Sequence, residues 1–353
     1  VKSFFIFALF TLQLTWSVAA AQTVQGLYSA NLAVSSQSAS VRNKMLSRLL
    51  GRVLIKVSGQ TDVLNNATIK QGLADALAYT AEFNFSDNGG LRLSARFNEQ
   101  LVDDLLQSAA MPIWGNSRPT VAIWVAYESA SNKRQVVTEQ MSNSYASVLT
   151  RRARGRGLPV ILPLWDLDDR LKVGMTDVWG LFSDKIGLAS QRYRADFVII
   201  AKVSRQNGAT IKWVVHRVPT SSNAFNSQFS KVISSGRGQY PSTKQALVAL
   251  VEQSSNFFGH QYSVNTQAKT SSFSFSVSAI DSIETYAAVT NYLLSLKAVD
   301  SLQVSQVNNQ IFTFNLNIFG RSDSLIDVIT LDKKLLNNPP LLGQTERMFH
   351  WAL

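Results

Sequence analysis

The chain has 353 residues, 46% of them apolar and 16% charged, a balance too apolar for a disordered chain and too long for one ordinary core, so several domains are expected. Its 34 lysines and arginines outnumber 23 acidic residues, giving a formal charge of +11 and a bias toward anionic surroundings. Cysteine is absent, which excludes disulfides, thiolate nucleophiles, thiolate metal sites and the lipid-bearing cysteine of a lipoprotein.

Residues 1–21 have the pattern of a cleavable signal peptide: Lys2, an apolar run from Phe4 to Leu14, then the small residues Ala19, Ala20 and Ala21. The apolar run is short of the roughly 20 residues that span a bilayer, and no later stretch reaches that length. A soluble protein of the periplasm is therefore expected, with no membrane span after cleavage and with nucleic acid excluded as a partner.

The mature chain reads as a multi-domain α+β and α/β protein. A small α+β domain is expected over 22–112. It holds a strand within Thr23 to Val34, a helix from Val41 to Gly59 and a second helix from Ile69 to Tyr79. Two strands follow, Ala81 to Phe85 and Leu91 to Phe97, joined through Asp87-Asn88-Gly89-Gly90, and Asn98 caps a last helix that ends before Met111-Pro112. On the first helix Val41, Met45, Leu49, Val53 and Val57 recur every four residues, which leaves Arg42, Lys44, Arg48, Arg52 and Lys56 on a basic outer face.

A layered, mixed-sheet α/β domain is expected over 113–264. Its predicted elements are a strand at Thr120 to Tyr127, a helix at Thr138 to Arg154, a short strand at Leu158 to Leu164 and a helix at Asp177 to Tyr193. Strands at Ala195 to Val203, Thr210 to Val218 and Phe225 to Ile233 follow, then a helix at Lys244 to Phe258. Pro159 and Pro163 suit the short strand to a sheet edge. A linker at 265–272 leads to a βαββα module over 273–338, and Pro339-Pro340 opens a tail, 339–353, whose Met348, Phe349 and Trp351 either pack back or dock elsewhere.

Two clusters are candidate binding sites. Trp165, Asp166, Asp168, Asp169, Asp177 and Trp179 lie at the C-terminal end of a short strand and at the start of a helix, where open α/β sheets bind ligands. Aspartate also serves turns and helix starts, so the same residues have a structural reading. Arg151, Arg152, Arg154 and Arg156 crowd a helix C-terminus, where capping accounts for part of the cluster and an anionic contact, including anionic lipid, for the rest.

No catalytic constellation emerges. His216, His260 and His350 lack metal-ligand spacing; Gly155-Arg-Gly157 and Gly236-Arg-Gly238 lack the third glycine of a dinucleotide loop; Arg170 and Leu171 spoil a calcium loop at Asp166. No metal and no cofactor are implied. Asp166 and Asp168, with Asp177 nearby, are the one pair left for acid–base work.

The run Gly157-Leu-Pro-Val-Ile-Leu-Pro-Leu-Trp-Asp-Leu-Asp-Asp, with Asp177-Val-Trp-Gly-Leu-Phe and Ala189-Ser-Gln-Arg-Tyr-Arg-Ala-Asp, resembles a proteobacterial family known as domain of unknown function 2066. The resemblance implies an exported protein of Gram-negative bacteria and carries over no catalytic residue. The strand order of the middle domain is also similar to the N-terminal domain of the Tol translocation protein and to periplasmic assembly lipoproteins, a likeness of fold alone. The expected function is non-enzymatic binding or assembly in the envelope, with an envelope protein or polymer as partner. The alternative is a carboxylate-dependent hydrolase acting on an envelope polymer.

Overall fold

Alternating polar and apolar residues at Arg92-Leu-Ser-Ala-Arg-Phe97 set up the first of three sheets. β1 (Ser29–Ala33), β2 (Thr80–Ser86) and β3 (Arg92–Phe97) pair antiparallel with β3 in the middle. Leu93, Ala95 and Phe97 turn inward, and Arg92, Ser94 and Arg96 turn outward. Against the inner face lies α1 (Ala39–Ser58), which buries Leu46, Leu49, Leu50, Val53, Leu54 and Val57. Its first turn is capped by Ser38 and its last by Gly59, in the left-handed conformation at φ 73°. The computed structural model of the protein describes residues 24–87, 89–141, 144–205, 207–218, 231–338 and 347–352, so the leader-like segment and Asn88 of the hairpin turn lie outside the described residues.

The second helix is shorter than its periodicity predicts. α2 (Ala67–Ala74) is started by Asn66, whose side chain accepts the N–H groups of Thr68 and Ile69, and it gives way at Asp75 to successive turns that lead into β2. Turns and a helix both bring Leu73 and Ala76 inward, so the apolar pattern does not separate them. α3 (Glu99–Ser108) begins at Asn98 as its sequence predicts.

The middle sheet is built on β4 (Val121–Glu128), buried over nearly its whole length. β5 (Arg134–Val136) folds back on its end, and α4 (Ser144–Arg156) then carries the chain to β6 (Val160–Ile161), β7 (Phe197–Ser204), β8 (Ala209–Arg217) and β9 (Ser234–Tyr240). The order is β5-β4-β7-β8-β9, with β7 parallel to β4, and β6 pairs with the start of β4 on its free edge. Ile123, Val125, Ile199, Ile211, Trp213 and Val215 face α4 and α8 (Thr243–Tyr262). Ala122, Trp124, Ala126, Val198 and Ile200 face the opposite layer of α5 (Leu167–Lys172), α6 (Met175–Gly180) and α7 (Ser183–Ser190).

Three expectations change here, and a fourth falls mostly outside the described residues. The helix predicted from 138 starts at Ser144, because residues 134–136 pair with β4 and Tyr127 bonds Gln135 across the strands. The strand predicted over 158–164 shrinks to two residues, since the flanking Pro159 and Pro163 lack a ladder donor. The single helix predicted over 177–193 is broken at Leu181, which sits at φ 61°, and it is preceded by α5, so Asp166 to Asp169 form a helix start rather than an open turn. The strand predicted over 225–233 lies mostly outside the described residues; the described strand that pairs with β8 after them is β9. β9 contains Gly236, where a Cβ would come within 2.5 Å of the Trp213 indole; the bare backbone lets that ring lie across the strand.

The C-terminal module contains β10 (Thr270–Ser278), α9 (Ile283–Ser295), β11 (Val299–Asn308), β12 (Ile311–Phe319) and α10 (Ser322–Asp332), in the predicted βαββα order. The tail adds two strands, β13 (Leu335–Asn338) and β14 (Met348–Trp351), with Pro339-Pro340 between them outside the described residues. β14 pairs in parallel with β10, giving the order β11-β12-β10-β14-β13. Met348, Phe349 and Trp351 are buried, and Phe349 meets Phe275 edge-on at 5.2 Å, so the aromatic tail packs back. The described residues thus form a mixed α+β fold with three sheets, and the apolar cluster under α8 runs on into the C-terminal sheet. No helix of the described residues is long and apolar enough to cross a membrane.

Candidate functional site

The acidic edge is a closed electrostatic cluster. Asp166 caps α5 by accepting the Asp169 N–H at 3.1 Å, and both its oxygens receive the Arg192 guanidinium, at 2.8 and 2.9 Å. The Arg192 hydrogen bonds, with that backbone N–H, pull the Asp166 carboxyl down to about 2, so it stays ionised and is unsuited to act as a general acid. Asp169 is fully buried and accepts from the Trp165 N–H at 2.8 Å, the Tyr193 hydroxyl at 2.5 Å and Arg192 at 3.1 Å. Burial, and then the bond to Asp169, push the Tyr193 phenol above its ordinary value. Asp168 alone points outward, 3.9 Å from Arg192.

The remaining residues of this edge are also engaged. Asp177 accepts the Gly174 N–H at 2.8 Å at the start of α6 and pairs with Lys185 at 3.3 Å. Trp165, held at φ 56°, meets the buried Trp124 edge-on, and Trp179 lies between Arg134 and Lys202. Asp166, Asp168 and Asp169 therefore converge on Arg192, whereas Asp177 and Trp179 belong to a neighbouring contact. Replacing Asp169 by alanine is expected to cost about 3 kcal/mol, because it strands the Trp165 N–H, the Tyr193 hydroxyl and part of the Arg192 charge. Asp168→Asn is expected to leave the urea midpoint unchanged, and equal losses for the two would contradict this division of labour.

The four arginines divide into two pairs. Arg152 and Arg156 both grip Glu252 of α8, and Arg156, buried, also donates to the Gly59 carbonyl at 2.8 Å and to Asn256 at 2.7 Å. Those two are structural braces. Arg151 and Arg154 are exposed and line a groove of 1340 Å³ between the end of α4 and the outer face of the first sheet. Arg52, Arg92 and Arg96 line it as well, and Glu82, the one acidic lining residue among the described residues, is paired with Arg96 at 2.8 Å.

The four-residue spacing of the first helix predicts Lys56 on a basic outer face. It is buried instead, its ammonium donating to the carbonyls of Gly26 at 3.1 Å and Ser29 at 2.7 Å, and burial pulls it down to about 8. Arg92 and Arg96 carry no binding signal of their own in the sequence, although the alternation of 92–97 puts them on one face. That they look toward α4 depends on the packing of two units and has no local signal. Of the histidines, His216 is buried in β8, His260 lies 3.3 Å from Gln60, and His350 lies 3.3 Å from Ser278 in the tail.

The family model described as Domain of unknown function (DUF8605) matches residues 21–115, the first sheet with its three helices. No curated protein matches the chain. The resemblance to domain of unknown function 2066 is thereby corrected: the matching family is a different one, and the 157–180 motif that carried the resemblance lies outside the matched residues.

Proposed function

We propose that this chain is an exported, non-enzymatic binding protein of the cell envelope, working in the periplasm through the groove between its first sheet and α4. The observation that carries the reading is the contrast between its two polar clusters. The carboxylates at 166–169 are occupied by Arg192, Tyr193 and backbone N–H groups, apart from the outward Asp168. The basic residues at 151 and 154 instead open on the groove. An acid–base pair for hydrolysis needs one carboxyl held protonated, and Asp166 is driven the other way. Export rests on the leader-like composition of residues 1–21.

Expression of the full chain, followed by osmotic-shock fractionation and intact mass, tests this. The expected result is release with the periplasmic fraction and a mass lacking the residues before about Gln22, as small-residue cleavage predicts. A photocrosslinking residue at Thr150 in the groove is expected to capture an envelope component, and one at Lys172 on α5 is not. Full-length chain in the cytosol, or equal capture from both positions, would overturn the reading.

A further inference from the structure

The outer face of the first sheet forms one wall of the groove, and its residues fall into rows. Strand register aligns Asn31, Ser94 and Asn84 across β1, β3 and β2. The neighbouring rows are Ser29, Arg96 and Glu82 on one side and Ala33, Arg92 and Ser86 on the other. A lane of short, uncharged hydrogen-bonding side chains therefore runs between two arginines, and Arg151 and Arg154 border it from the facing helix. From these rows we propose that the groove binds an acidic glycan, a chain of sugars bearing sulfate, phosphate or carboxylate groups; this rests on the reading of the chain as a binding protein.

Size, charge and floor chemistry each select that class. At 1340 Å³ the groove exceeds the roughly 300 to 1,000 Å³ of ordinary small-molecule sites, which suits an extended ligand. Guanidinium groups recognise anionic oxygens in bidentate fashion, and Glu82 offsets only Arg96. Amide and hydroxyl groups that both donate and accept, as Asn84 and Ser94 do, match sugar hydroxyls and have no counterpart in a bare polyphosphate. Among the described residues Phe83 is the single aromatic one lining the groove, short of the succession of stacking platforms that single-stranded nucleic acid uses. A lipid surface is flat, whereas the Asn31–Ser94–Asn84 row lies inside a concavity.

The test measures binding of the full chain to dextran sulfate by calorimetry at moderate and high salt. Replacing both Arg151 and Arg154 by glutamine is expected to weaken binding by about tenfold, and removing equal charge elsewhere, Lys172→Gln with Lys244→Gln, by less than about twofold. Asn84→Ala, which changes no charge, is expected to weaken binding by about threefold, the loss of one hydrogen bond. Uncharged dextran is expected not to compete, and polyglutamate and polyphosphate only weakly. Equal losses from the groove pair and the distant pair would reduce the effect to net charge and overturn the site. Polyglutamate or polyphosphate binding as tightly as the sulfated glycan would overturn the glycan class, as would no binding at all. That last result leaves periplasmic release and groove crosslinking intact, which separates this failure from failure of the binding-protein reading. Circular dichroism of each variant guards against misfolding.

Discussion

Replacing Arg118 by methionine is expected to destabilise the protein by about 3 kcal/mol, because several buried carbonyls lose their shared donor at once. The Arg118 side chain is 4% exposed, and among the described residues no carboxylate pairs with it. Its partners are five backbone carbonyls: Trp114 at 2.6 Å, Lys56 at 2.8 Å, Gly115 at 2.9 Å, and Arg156 and Gly157 at 3.2 Å. Lys56 is in the last turn of α1, and Arg156 ends α4, so the negative ends of two helices meet on one guanidinium. The plane of that group also covers the Trp114 indole, 4.0 Å from the ring centroid.

Burial pulls Arg118 down to about 9, a measure of how much solvation those carbonyls must replace. Methionine fills much of the space yet leaves the carbonyls of two helix ends without donors in a site closed to water. Lysine keeps the charge but cannot reach five acceptors with one ammonium, so Arg118→Lys is expected to fall between the two. Urea unfolding is the measurement. A midpoint shift at constant slope would mean that the whole chain loosens together, and a reduced slope would mean that the first sheet and its helices detach. A loss below about 1 kcal/mol would mean that the carbonyls find other donors.

Arg118 also marks where local pattern stops informing the fold. The Val41 to Gly59 helix, the 80–97 hairpin, the Asn98 cap and the apolar strands at 121–128 and 197–204 are set by periodicity, turn residues and capping groups a few positions apart, and these are legible along the chain. β5, β13 and β14 are short strands whose existence depends on an edge offered by a partner, β4 for β5, β10 for β14 and β14 for β13, so three or four residues carry no sufficient signal. The break at Leu181 has the same origin: the apolar spacing of 177–193 continues through it while the backbone turns.

The candidate site divides along that line. Aspartates at 166–169 are legible as an acidic turn beside a short strand, whereas the helix they start and their closure by Arg192, more than twenty positions on, are not local. The arginines at 151–156 are visible as a cluster; which two reach Glu252 and which two line a groove is decided by α8 and by the first sheet. Lys56 has the spacing of an outward residue and is covered only because β1 passes over it and offers the Ser29 carbonyl.

Gly259→Ala is expected to destabilise the protein even though alanine is the better helix former. In the middle of a helix the exchange favours alanine by about 1 kcal/mol. At Gly259 in α8, however, an added Cβ would stand 2.5 Å from the Gly59 carbonyl oxygen and 2.9 Å from the Gly59 Cα, so it meets backbone rather than a side chain that can rotate away. The Gly59 carbonyl is itself held by Arg156 at 2.8 Å, and Gly59 ends α1 at φ 73°, a conformation that resists adjustment. Overpacking of this kind costs about 1 to 3 kcal/mol or more, which exceeds the helix-propensity gain and sets the sign. Gly155→Ala in α4 is the matched control: nothing lies within 4 Å of its added Cβ, so the same exchange is expected to stabilise by a few tenths to about 1 kcal/mol. Urea midpoints moving in opposite directions would confirm that α1 and α8 touch backbone to backbone at Gly59 and Gly259; stabilisation by both exchanges would mean that the two helices stand further apart.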